Sequence, residues 1–140
     1  MSAQTTVGIV EWGHRARGMA HTHRVVADAL GRLVGGEHDV GLQRALLDGA
    51  RRHGWCADQW ASVVPVLHDV DLRVGTTDPS LADALVGLQA APDGTAARAA
   101  MSAVDERVAS LLGSWTDESA PVADEPYQVV AERVVHELRG

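Results

Sequence analysis

Two histidines stand out because the hydrophobic pattern points both of them inward. His53 lies within the series Leu42, Leu46, Gly49, His53, Cys56, Trp60, Val63 and Leu67, and His23 within Met19, His23, Val26, Leu30 and Leu33. Alternating steps of 4 and 3 trace one face of an α-helix. Two imidazoles that meet between facing helices could hold Zn or Fe, or pass a proton. The plainer use of the same residues is structural. A buried imidazole must find a hydrogen-bond partner, and a neighbouring carbonyl or side chain suffices. Carboxylates that would complete a metal set are poorly placed. Asp48 and Asp58 each stand five residues from His53, which turns them off its face. A di-iron carboxylate centre needs paired Glu-x-x-His motifs, and the chain has none. Glu132 and His136, four apart, form a single pair.

Other groups carry weaker signals. His14 and His21 share a helical face, while His23 points about 160° away from His21, so this small cluster reads as a solvated helix start or an adventitious metal binder. Cys56 follows His53 at contact spacing, the arrangement of a base and a nucleophile. A mid-helix Cys beside Trp60 also serves as a small apolar filler. Trp55 and Trp60 lie about 140° apart around a helix. Trp60 falls on the inward stripe, which leaves Trp55, beside Arg51 and Arg52, for a rim or an interface. The chain has no glycine-rich phosphate loop, no Gly-x-Ser-x-Gly and no paired-cysteine motif.

The elements that must position these groups are helical. Arg15 to Val34 predicts a first helix, ended by Gly35-Gly36. Asp39 caps a second, central helix that runs to about Val64, where Pro65 stops it. Its apolar face is wide, and Gly49 and Gly54 imply close helix approach at both levels. The stretch from His68 to Pro79 is rich in turn residues and leads to a short helix over Ser80 to Ala91. Thr95 is placed to cap a helix to about Trp115 in which Asp105, Glu106 and Arg107 face water. An acidic linker over 116–126 precedes a last helix, Tyr127 to Leu138. Residues 1–14 read as a flexible N-terminus. No useful period-2 alternation occurs, so the expected fold is all-α: one domain, an up-and-down four-helix bundle with one extra short helix as a lid.

Composition narrows the function classes. The chain has 140 residues, enough to bury a core without staples. Its formal net charge of −7, with 12 basic residues that are all Arg, argues against nucleic acid and anionic membrane as partners. One Cys excludes an internal disulfide, and the N-terminus lacks a signal-peptide pattern, so a cytoplasmic location is expected. No apolar run approaches the roughly 18 residues of a membrane span.

The segment His53-Gly54-Trp55-Cys56-Ala57-Asp58-Gln59-Trp60, followed by Val64-Pro65 and Leu67-His68-Asp69-Val70-Asp71, resembles a group of small actinobacterial helical proteins described as ferritin-like. Ser119 to Pro126 resembles the linker before their last helix. The likeness spans about Gly31 to Leu138 through short motifs. It implies a ferritin-like bundle and no particular activity. Cys56 and Asp58 stand where those relatives carry His and Glu, so a site built on that pair is altered here.

The first expectation is therefore a non-catalytic or auxiliary bundle protein that binds a protein partner or self-associates as a homo-oligomer, with a surface patch around Trp55 and no cofactor. The second is a ferritin-like metal-dependent oxidase or oxygenase using Fe or Zn, with His23 and His53 as ligands. The third is a small-molecule binder that uses a gap beside Gly49 and Gly54.

Overall fold

The structure, a computed structural model, describes residues 8–66, 71, 72, 75, 78–118 and 124–140. Among these residues there are five helices and no strand: α1 (Ile9–Val34), α2 (Val40–Ala61), α3 (Pro79–Gln89), α4 (Gly94–Glu118) and α5 (Glu125–Arg139). His68, Asp69 and residues 119–123 of the expected linker fall outside the described residues, while residues 116–118 are the end of α4 and 125–126 the start of α5, which corrects the linker at both ends.

Local chemistry explains the boundaries. Asp39 and Asp78 cap α2 and α3 by accepting the amide protons of Leu42 and Leu81. At α4 the cap is Asp93, whose carboxylate accepts the Ala96 N–H, and not Thr95. Helix α1 begins well before Arg15, because Trp12 and Ala16 extend the Met19–His23–Val26–Leu30 stripe backward at the same 4 and 3 spacing. Trp12 is 1% exposed, so the part of the expected flexible terminus from Ile9 onward is helix and core. Gly13 does not break the helix. It clears room for Leu72 and Pro65, which a Cβ there would meet at 2.9 and 3.1 Å.

Residue pairings give the helix directions. Val34 accepts a hydrogen bond from Gln43, Leu30 packs at Gly49 and His23 meets His53, so α1 and α2 are antiparallel. Leu42 lies by Gly94, Gly49 by Met101, His53 by Asp105 and Trp60 by Trp115. These numbers rise together, so α2 and α4 run parallel. Strict up-and-down alternation of the four long helices is therefore corrected to up, down, down, up. The chain from Ala61 to Gly94 must return along the bundle. Its described residues lie progressively along α1: Leu72 touches Gly13, the Gly75 carbonyl abuts Gly18, and Gln89 lies by Gly31 and Arg32. Gly75 has φ +123°, a conformation that suits glycine. Helix α3 is thus the upper part of a crossover and does not act as a lid. Helix α5 runs antiparallel to α2, with Arg133 bonded to Gln59 and Glu137 beside Arg52 and Trp55.

The two glycines of α2 separate. A Cβ on Gly49 would meet Met101 Sδ at 2.5 Å and Leu30 Cδ1 at 3.0 Å, whereas one on Gly54 would meet nothing within 4 Å. Close approach holds at Gly49 and is corrected at Gly54. Gly54→Ala should stabilise the protein by about 1 kcal/mol through helix propensity. Gly49→Ala should destabilise it by about 1–3 kcal/mol through overpacking. Urea unfolding of both variants checks the opposite signs.

Candidate functional site

Helices α1, α2 and α4 bring three polar side chains together near mid-bundle. His23 and His53 are both fully buried, and their Nδ1 atoms lie 2.9 Å apart. His53 Nε2 lies 2.8 Å from Asp105 Oδ1. Asp105 was expected to face water, but its side chain is only 15% exposed. Its position follows from the α4 series Met101, Asp105, Val108 and Leu112, which has the same 4 and 3 spacing as the core stripe. The signal was present, and an apolar filter passes over a carboxylate.

The geometry limits how the protons can be arranged. The imidazole centroids are 5.1 Å apart with 36° between their planes. With the nitrogens at 2.9 Å, nearly all the remaining distance is taken up by the two ring radii, so the rings meet almost end-on. One proton lies between the two Nδ1 atoms. The assignment that keeps charge out of the core has His53 Nε2–H donating to the Asp105 carboxylate and His23 Nδ1–H donating to His53 Nδ1. Both imidazoles are then neutral, and the only formal charge sits on Asp105 at the rim. Burial, and then the proximity of His53, hold the His23 pKa well below its ordinary 6.5. His23 Nε2 has no hydrogen-bond partner.

This linkage has a definite sign. Below pH 6.5 the unfolded chain protonates His23 and the folded chain does not. The stability contributed by neutral His23 is complete above that pH. It falls as pH drops below it, by at most about 1.4 kcal/mol per pH unit, until the lowered folded value is reached. His23→Asn keeps a polar group at the Nδ1 position and should flatten the acid limb by one proton, read from urea midpoints between pH 7 and 5.

The remaining residues singled out in the sequence divide between interior and surface. Cys56 and Trp60 are fully buried. The Cys56 thiol is pushed up to about 12, first by burial and then by Glu137 and Asp105, with Arg52 opposing. A thiol in that state supplies no thiolate for nucleophilic attack near neutral pH. Trp55 is 40% exposed and borders a depression of about 470 Å³ with Asp48, Arg51, Arg52 and Glu137. Asp48 and Asp58 are exposed and do not join His53. Glu132 and His136 are exposed along a groove of about 630 Å³ between α4 and α5. Among the described residues, no group of three or more His, Cys, Asp or Glu is arranged to hold a metal ion. No family profile, curated protein or solved structure matches the chain. Among the described residues, no helix is long and apolar enough to cross a membrane.

A second cluster closes one end of the molecule. Trp12 stacks on Tyr127 with centroids 4.8 Å apart and meets Trp115 edge-on at 6.0 Å. Trp60 meets Trp115 edge-on at 6.2 Å. The Arg15 guanidinium lies 5.3 Å from the Trp12 ring and 4.9 Å from Trp115, and bonds Glu118 at 2.8 Å. Four helices thus converge on one aromatic group capped by a cation. The sequence pattern marks Trp60 as inward, but not Trp12 or Arg15.

Proposed function

We propose that the chain is a non-catalytic helical-bundle protein that acts by protein association through the outer face of α2. The observation that carries this reading is an exposed apolar series on that face: Val40 (72%), Leu47 (36%) and Trp55 (40%), with Arg44 and Arg51 between them. Trp and Arg are the residue types that most often dominate binding energy at protein interfaces. The interior offers little to a substrate. The imidazoles are bonded to each other and to Asp105, and the thiol is protonated.

The architecture is read as ferritin-like. Its support is the up, down, down, up order with one long crossover, the connectivity of that class of bundle. The metal-dependent reading fits the residues poorly. The two Nδ1 lone-pair directions oppose each other and do not converge on one cation, and His53 Nε2 already faces Asp105. Space for a ligand beside Gly49 is taken by Met101 and Leu30.

Photo-crosslinking tests the association. A benzophenone amino acid replaces Trp55 in one variant and the exposed Ser102 of α4 in another, in cells that naturally make the protein. A discrete covalent adduct from position 55 and none from position 102 is expected. No adduct from position 55, or equal adducts from both, overturns the reading.

A further inference from the structure

Resting on that reading, we infer that the occupant of the α2 face is a second copy of this chain, docked antiparallel about a two-fold axis at Arg51. The exposed stripe is Val40, Arg44, Leu47, Arg51, Trp55, Asp58 and Ser62. Its members stand symmetrically about Arg51, at four, seven and eleven residues to either side. Reversing one copy over the other therefore superposes stripe on stripe. A two-fold interface demands such self-complementarity, because each residue must suit the partner's residue at the mirrored position.

At the positions four and seven residues from the axis the chemistry matches, while the outermost pair sets Val40 opposite Ser62. Leu47 falls opposite Trp55 of the second copy, and does so twice, so each exposed indole gains an aliphatic neighbour. Arg44 falls opposite Asp58 of the second copy, also twice, forming two opposite-charge pairs. Arg51 faces its own copy on the axis, and the exposed Asp48 one turn before it supplies the carboxylate that offsets this like-charge contact. A parallel arrangement in register would place Arg44 on Arg44 and Asp58 on Asp58. Charge thus selects the antiparallel one. For a chain of net charge −7, most surface-to-surface encounters are repulsive. The Arg44 end against the Asp58 end is a place where two copies attract.

Sedimentation equilibrium of the purified full chain, with variants, tests this. The wild type should reach twice the chain mass at high concentration. Arg44→Asp and Asp58→Arg should each weaken the dimer about tenfold, since each alters both symmetric pairs. The Arg44→Asp/Asp58→Arg double variant should recover most of that loss. Arg51→Cys, with its new thiol on the axis, should form a disulfide-linked dimer under mild oxidation, while Arg44→Cys should not. Circular dichroism verifies that each variant is folded, which the exposure of these side chains favours. A monomeric wild type at millimolar concentration overturns the inference. So does a dimer indifferent to both charge reversals. If position 55 crosslinks to a different protein while the purified chain stays monomeric, this inference fails and the proposed association stands. If position 55 yields no adduct, both fail.

Discussion

His53→Ala is expected to lower unfolding stability by about 3–5 kcal/mol, the range for truncating a fully buried side chain and breaking a buried polar pair. The substitution empties the volume of an imidazole between α1, α2 and α4. It also removes the acceptor of the His23 Nδ1–H and the donor to Asp105. Asp105 keeps some contact with solvent and recovers part of its loss through hydration, whereas His23 is fully enclosed and recovers none. The two losses therefore differ, and conservative changes separate them. His53→Gln places an amide where Nε2 stood and should retain the Asp105 contact, limiting the cost to about 1–3 kcal/mol for the orphaned His23 donor. Asp105→Asn keeps an acceptor for His53 Nε2–H and should cost less still. Urea denaturation at pH 7.5, with unchanged m-values, gives the three differences. A His53→Ala cost below about 1 kcal/mol would contradict a buried clasp.

The second large effect is at the other cluster. Trp12→Ala should cost about 3–5 kcal/mol, as truncation of a buried Trp does. The indole stacks on Tyr127, meets Trp115 edge-on and carries one face of the Arg15 guanidinium. Its loss opens a void at the joint of α1, α4 and α5 and uncovers Arg15, whose Nη1 is buried without a hydrogen-bond partner. The salt bridge to Glu118 is half open to solvent and adds little by itself. If residues up to position 14 were a flexible tail, the same substitution would change stability by only a few tenths of a kcal/mol. Thermal and urea unfolding of Trp12→Ala therefore distinguish a terminal tail from a core helix.

These two sites show what was legible in the sequence and what was not. His23, His53 and Trp60 are inward because the apolar stripe has a strict helical period, and that period depends only on local geometry. Their meeting needs the α1–α2 register, which the short connection Gly35–Asp39 constrains strongly. Asp105 was hidden because polarity and inward position conflict at that residue, and the conflict is resolved only by a partner 52 residues away. Trp12 was hidden by the flanking Gly8 and Gly13; Gly8 is only the residue before the helix, and the weak helix propensity of Gly13 is outweighed by tertiary packing against Leu72 and Pro65. The parallel run of α2 and α4 was also out of reach. A short α3 within the connection from Ala61 to Gly94 suits either a lid or a crossover, and only the contacts of Leu72, Gly75 and Gln89 along α1 decide between them. Trp55 stands off the stripe that carries Trp60, and it faces outward for that reason.

The separation of a closed interior from an associating α2 face rests on the state of the two buried imidazoles. Long-range proton–nitrogen correlation spectra of histidine-labelled protein at pH 7.5 report that state directly. The expected result is two neutral rings of opposite tautomer, His53 carrying its proton on Nε2 and His23 on Nδ1, with neither signal moved by one equivalent of Zn²⁺. An imidazolium at either position, or a shift of both rings on adding the metal, would contradict the account and return the His23–His53–Asp105 centre to the list of reactive sites.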